Sequence, residues 1–312
     1  MPLYLLNHLR LFTNKVLAPV GFAVERVRKT NPWGSPLVST KIGKFTIRVP
    51  RINPVTVTYL DYPDTMSQLA PLVLLMKKKY PNLSAIDIGA NVGDTACLIK
   101  TGGDIPLVCI EGDDSTYELL RQNMSQWKNT SAHKLFLGEK TGNVAATFER
   151  SGWNTTIKPG HSSGSQNIEI TSLDDFMCAQ QAAANCKLVK IDAEGFDCSI
   201  IRGAMKFLQQ VRPVVMFEYN RDNMDTIGEK GLETLRMLCD LGYSKVAFHD
   251  CYGRFFTDAA LSEDGLVQDL LDYADGKHPG IYYFDLTVFH KDDSEVALEF
   301  VKGERTRRNN VH

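Results

Sequence analysis

From residue 84 onward the chain alternates short apolar runs with amphipathic stretches, and nothing else in the sequence constrains the fold as tightly. Strand-like runs occupy 84–88, 106–111, 133–137, 187–192 and 213–218. Helical spacing fills 93–101, 115–127, 196–210 and 229–241 between them. Strands regularly separated by helices predict a parallel sheet with helices on both faces. Later runs at 244–248 and 281–289 complete a mostly parallel sheet of seven strands, the last inserted antiparallel. The rhythm breaks over 139–175, where a hairpin-like 144–148, a Gly/Ser-rich stretch and a short strand near Ile168–Ile170 predict a β-rich insertion. The expected fold class is α/β.

The flanks read differently. Leu5, Leu9, Phe12 and Val16 recur at helical spacing, which predicts an amphipathic helix ending near Pro19. It is too interrupted by polar residues to span a membrane, and it lacks a signal-peptide cleavage site. Such a helix packs on the domain or a partner, or makes peripheral membrane contact through its basic polar face. The Pro- and Thr-rich 31–64 reads as a linking or lid-forming stretch, and Lys77, Lys78 and Lys79 suit the end of a helix broken by Pro81. The expected division is therefore 1–65 as extension and lid, 66–295 as the main domain, and 296–312 as a polar, disordered tail.

Composition narrows the function classes. The chain has 312 residues, 43% of them hydrophobic, with 35 Lys plus Arg against 37 Asp plus Glu and a net charge of −2. That balance provides no basic field for nucleic acid. Seven cysteines form no C-x-x-C pair and have no histidine at metal spacing, which points to a reducing, cytoplasmic setting. The oligomeric state is not legible.

The strongest local signal is Ala85-Ile86-Asp87-Ile88-Gly89-Ala90-Asn91-Val92-Gly93-Asp94. An apolar strand enters a turn and a helix follows. Gly89 and Gly93 tolerate positive φ and allow a close ligand, while N–H groups at the helix start can face an electron-rich group. Asp87 stands where it can hold a ligand ammonium or a water. One strand–helix unit later Val108-Cys109-Ile110-Glu111 ends on an acid, whose oxygens can accept both hydroxyls of a ribose. The spacing is G-x-x-x-G, not the dinucleotide G-x-G-x-x-G, which disfavours a nicotinamide-dependent oxidoreductase.

These residues resemble a known family. Asp87–Asp94 followed by Cys109–Asp113 is similar to the first two motifs of class I methyltransferases. Thr171–Asp175, Lys190-Ile191-Asp192-Ala193-Glu194-Gly195, Ile201–Ala204 and Arg212–Glu218 resemble, in that order, the FkbM methyltransferases. The resemblance covers roughly 84–290. It implies a Rossmann-like class I fold and S-adenosyl-L-methionine as cofactor. Asp87, Gly89, Ala90, Asn91, Gly93 and Asp94 would line its methionine end, Glu111 would bind its ribose, and Gly112 would lie near adenine. An aromatic or proline is usual after the acid, but Gly112-Asp113 stands here.

The resemblance also implies O-methylation of a hydroxyl on a sugar, glycan or other small molecule. Such transfer needs the nucleophile aligned and its proton removed. Asp192, Glu194 and Glu218 follow successive strand ends and are the candidate catalytic carboxylates. Asp192 is the first choice as base or hydroxyl anchor, with capping of the helix near Phe196 as its alternative role. His161 and His249 are further bases, and Trp153 is placed to shape an acceptor pocket. No metal is demanded by the spacing. A non-catalytic binding module that keeps the fold is the competing class.

Overall fold

The computed structural model describes residue 13 and residues 36–51, 53–151, 154–160, 165–179, 185–274 and 280–309. The predicted N-terminal helix, Trp153 and His161 lie outside them. From residue 36 the chain forms the hairpin β1 (Leu37–Ile42) and β2 (Phe45–Pro50), then α1 (Val55–Asp61) and α2 (Leu69–Lys79). The core run is β3 (Ser84–Ile88), α3 (Asp94–Gly102), β4 (Leu107–Glu111), α4 (Asp114–Met124) and β5 (Thr130–Lys134). An insertion of β6 (Phe136–Gly138), β7 (Gly142–Ser151), β8 (Asn154–Pro159) and β9 (Gln166–Ser172) follows, then α5 (Leu173–Cys178). The second half is β10 (Cys186–Ile191), α6 (Asp197–Arg202), α7 (Met205–Val211), β11 (Val214–Tyr219), α8 (Arg221–Ile227) and α9 (Gly231–Asp240). It ends with β12 (Tyr243–Asp250), β13 (Phe255–Ala260), α10 (Asp264–Tyr273), β14 (Phe284–His290) and α11 (Ser294–Asn309).

The main sheet has eight strands in the order β13-β12-β14-β11-β10-β3-β4-β5. The run β11-β10-β3-β4-β5 is parallel throughout, and β14 is inserted antiparallel between β11 and β12. The expected seven strands are thus present, and β13 extends them as an antiparallel edge. Strand order reverses beside β3, so β3 and β10 both aim their carboxyl ends at one crevice, the place where open α/β sheets bind ligands. The insertion forms a separate four-stranded sheet, β6-β9-β7-β8.

Two apolar cores lie on opposite faces of the sheet. One joins Leu72 and Met76 of α2, Ile99 of α3 and Phe300 of α11 to Ala85, Leu188 and Met216. The other joins Ile201, Phe207 and Leu238 to Ile86, Val189 and Phe217. Ile42, Ile47 and Val49 of the β1–β2 hairpin are buried in the first core. Asn123 of α4 ties that hairpin down: its amide donates to the carbonyls of Arg48 (3.0 Å) and Val92 (2.8 Å) and accepts from the Arg48 N–H. Residues 36–50 therefore pack as part of the main domain.

The expected disordered tail is corrected over residues 296–309, which form most of α11. Its mean composition is polar, but Val296, Ala297, Phe300 and Val301 share one buried face. Glu304 continues that face and hydrogen-bonds the buried His249 (3.2 Å). The predicted helix over 196–210 is divided into α6 and α7 around Gly203, where a Cβ would lie 2.2 Å from the Gly138 carbonyl oxygen. Among the described residues no helix is long and apolar enough to cross a membrane.

Candidate active site

The crevice at the carboxyl ends of β3, β4 and β10 is an open cleft of about 160 Å³. Its polar lining includes Asn91, Asp94, Glu111, Lys190, Asp192 and Glu194, and its apolar wall includes Ile110, Phe136 and Phe196. Of the sequence-predicted residues, Gly89, Asn91, Asp94, Glu111, Gly112, Asp192 and Glu194 meet there. Asp87, Ala90, Gly93 and Glu218 are not in its lining.

The turn after β3 is held by its own structure before any ligand is considered. The N–H groups of Gly89 and Ala90 both donate to the Ile110 carbonyl at 3.0 Å, so they are not the free donors that the sequence suggests. Gly89 has φ +69°, and a Cβ would lie 1.8 Å from the Asp192 carbonyl oxygen. The glycine therefore allows the β3 turn to approach the end of β10. Gly93 (φ +93°) packs instead against the Met124 methyl.

Glu111 closes the opposite side. One oxygen accepts the Asn91 N–H (3.1 Å) and the other the Asp113 N–H (2.9 Å). Burial holds its carboxyl above the usual range, while these backbone donors pull it down. Asp113 caps α4, accepting from the Ser115 and Thr116 N–H groups at 3.1 Å. Gly112 is small for a steric reason: a Cβ would lie 2.0 Å from the Phe136 ring. The aromatic surface missing after Glu111 in the sequence is thus supplied by β6.

Asp87 lies under the floor and is fully buried. Its carboxylate accepts the Thr95 hydroxyl (2.7 Å) and pairs with the Lys190 ammonium (3.3 Å). Lys190 was quoted from the sequence only as part of a motif, yet it is the link between the two sides of the site. It faces Asp87 across the β10–β3 register and also lies 3.5 Å from Asp192. Burial would depress its pKa, but Asp87, Asp192 and Asp94 together raise it and keep the ammonium charged. The signal available in the sequence was a lysine inside an otherwise apolar strand.

Asp192 projects into the cleft with its side chain 31% exposed, whereas Asp87 shows none. Its alternative role is not realised. The N-cap of α6 is Phe196, without a side-chain cap, and Asp197 accepts the Ala193 N–H (3.2 Å) instead. Glu194 sits at φ +52° and accepts from the Asn223 amide (3.1 Å). Glu218 stands half-buried beyond the cleft wall. Burial, then Asp192, Asp197, Asp285 and Glu194, drive its carboxyl well above the usual range. Asp94 lines the cleft and accepts the Tyr59 hydroxyl (2.8 Å), which brings α1 to the cleft mouth. His249 is buried against Glu304 and is not part of the cleft lining. Among the described residues no group of three or more His, Cys, Asp or Glu could hold a metal ion.

A family model described as the methyltransferase FkbM domain matches residues 87–245, from the buried aspartate of β3 into β12. The chain belongs to that family. Its matched span contains every carboxylate of the cleft. No curated protein matches this FkbM-family chain. Among solved structures it is similar to methyltransferase FkbM from Methylobacillus flagellatus, with 18% identity and a TM-score of 0.40 over 65% of this chain and 50% of that one. The FkbM-family chain thus spans about half the length of the Methylobacillus protein. It is also similar to precorrin-6y C5,15-methyltransferase from Geobacter metallireducens, with 14% identity and a TM-score of 0.35 over 71% of this chain and 86% of that one.

Proposed function

We propose that this protein transfers a methyl group from S-adenosyl-L-methionine to a hydroxyl of a sugar, glycan or other small molecule. The observation that carries the reading is the opposition of Glu111 and Asp192 across one cleft, with the Lys190–Asp87 pair beneath. The residues fit the cofactor. Glu111 keeps acceptor capacity for ribose hydroxyls, because a carboxylate has about four lone-pair sites and the backbone N–H groups of Asn91, Gly112 and Asp113 do not occupy them all. Phe136 offers an aromatic face beside Gly112 for the adenine. Asp94 and Asn91 supply polar groups near the turn for the amino-acid end.

When bound, the cofactor supplies an activated methyl group on a sulfonium. The chain's own residues then hold the acceptor and move one proton. Asp192 would take the proton that the acceptor hydroxyl loses on methylation. Its partial exposure lets it meet an acceptor, and Lys190 fixes its orientation from below. Glu194, anchored by Asn223, shapes the neighbouring wall.

The test is transfer from methyl-labelled S-adenosylmethionine to a panel of sugars, lipids and extracts. Asp192→Asn should abolish labelling while leaving calorimetric affinity for the cofactor unchanged. Near-normal turnover in that variant would remove Asp192 from the reaction.

A further inference from the structure

Tyr219, the last residue of β11, is only 6% exposed, yet its hydroxyl has no hydrogen-bond partner among the described residues. A buried tyrosine hydroxyl ordinarily finds one. Burial holds it well above its usual range, so it stays a neutral donor and acceptor. Tyr219 lines a second cavity, of about 190 Å³, which shares no lining residue with the cofactor cleft. At roughly 30 Å³ per water, that space holds a small molecule.

Three helices bring charge to this cavity. Arg221 and Asp225 stand one turn apart on α8, Lys230 and Gly231 lie at the start of α9, and Gln268 and Asp272 stand one turn apart on α10. Gly231 lets α9 begin against the tyrosine ring, where a Cβ would lie 2.3 Å from it. Some of the charges are matched within the protein. Arg221 pairs with Asp272 (2.8 Å), and Glu229, also in the lining, accepts from two Arg202 nitrogens at 2.8 Å. The Lys230 ammonium and the Asp225 carboxylate have no partner among the described residues. The cavity therefore offers an unmatched cation, an unmatched anion and an unmatched hydroxyl beside the apolar Met224 and Leu232.

A carboxylate suits Lys230 and the Tyr219 hydroxyl, an ammonium suits Asp225, and an aliphatic chain suits Met224 and Leu232. A ligand with a single charge leaves the other charge of the site unmatched. We propose that this cavity binds a zwitterionic α-amino acid with an aliphatic side chain, and that its occupancy strengthens cofactor binding. Helix α8 is the route. Asn223, between Arg221 and Asp225, donates to Glu194 of the cleft at 3.1 Å. The same helix presses on the next residue, since a Cβ at Gly195 would lie 2.8 Å from the Asn223 carbonyl carbon. A ligand held by Asp225 fixes α8 and, through Asn223, the Glu194 wall of the cleft. The coupling, unlike the binding, rests on the methyltransferase reading above.

The test is isothermal titration of the full chain with L-leucine, isovalerate and isoamylamine, the last two each keeping one of leucine's charges. Leucine should bind, and each analogue about tenfold more weakly or worse. Lys230→Met and Asp225→Asn should each weaken leucine about tenfold or more, and Tyr219→Phe about threefold. Melting temperatures near the wild type's show that these variants fold. Saturating leucine should raise affinity for S-adenosylhomocysteine about fivefold, and Asn223→Ala should remove that gain while keeping leucine affinity. Absence of leucine binding, equal binding of either analogue, or an affinity indifferent to Lys230 and Asp225 would overturn the site. Equal S-adenosylhomocysteine affinity with and without leucine would overturn the coupling. Leucine binding in a chain that never binds S-adenosylhomocysteine would support the site and defeat the methyltransferase reading instead.

Discussion

The two halves of the sheet's carboxyl edge treat their acidic groups in opposite ways. On the β3–β4 side each carboxylate has internal partners. Asp87 has Thr95 and Lys190, Glu111 has two backbone N–H groups, and Asp113 caps a helix. On the β11–β14 side Asp285 and, after β10, Asp197 each bury an oxygen that receives no hydrogen bond, as one Asp87 oxygen also does. Among the described residues, however, neither has a cation paired with it as Asp87 has. Burial raises the pKa of both, as it does for Glu218. The first half holds its carboxylates with internal hydrogen bonds and one buried cation. The second is a cluster of reluctant anions, more disposed to keep protons and donate them. Lys190 sits on the boundary, its charge shared between Asp87 and Asp192.

The largest effect should come from removing that charge. Lys190→Met leaves Asp87 buried and unpaired, which costs about 3–5 kcal/mol for a broken buried pair. Chemical denaturation should show the loss, and Asp87→Asn added to it should restore part. A loss under about 1 kcal/mol, typical of an exposed pair, would erase the contrast between the halves.

A smaller effect is expected where the halves touch. Gly89→Ala forces a Cβ at positive φ into the Asp192 carbonyl. It should cost about 1–3 kcal/mol from backbone strain and also weaken cofactor binding, because the turn and the end of β10 must separate. Stability loss with cofactor affinity intact would mean that the contact does not shape the cleft.

A further effect concerns pH. Burial, then Asp192, pushes Asp197 up to about 7. The folded chain therefore holds a proton that the unfolded chain releases from about pH 4 upward, so stability should fall as pH rises from there to about 7. Asp197→Asn should flatten that decline in a melting-temperature series. An unchanged slope would show that Asp197 is already ionised in the folded protein.

Much of the fold was legible because the apolar strands bury both faces and so announce themselves. Ser84–Ile88 matches its predicted run, and β4, β10 and β11 fall within a residue of theirs. The run at 133–137 was less clear, since it straddles the end of β5 and the start of β6. Strand β13 and helix α11 were missed, because β13 is a six-residue edge strand and the buried Val296, Ala297, Phe300 and Val301 of α11 stand among mostly polar residues. At the site, the motif spelled out Glu111 and Asp192, and both line the cleft. Phe136 was not legible as a partner of Gly112, since the contact joins β4 to the inserted sheet and depends on tertiary folding. Nor was the role of the two turn glycines, which serve packing against Asp192 and Met124.

The central claim is that the cleft between Glu111 and Asp192 is built for a ribose-bearing sulfonium cofactor. Isothermal titration of the full chain with S-adenosylmethionine and, separately, with NAD tests it most directly, with Glu111→Gln alongside. One S-adenosylmethionine per chain and no heat from NAD are expected. Affinity in Glu111→Gln should fall about 10- to 100-fold, the worth of a charge-assisted hydrogen bond. Binding of NAD in place of S-adenosylmethionine, or an affinity indifferent to Glu111, would contradict it.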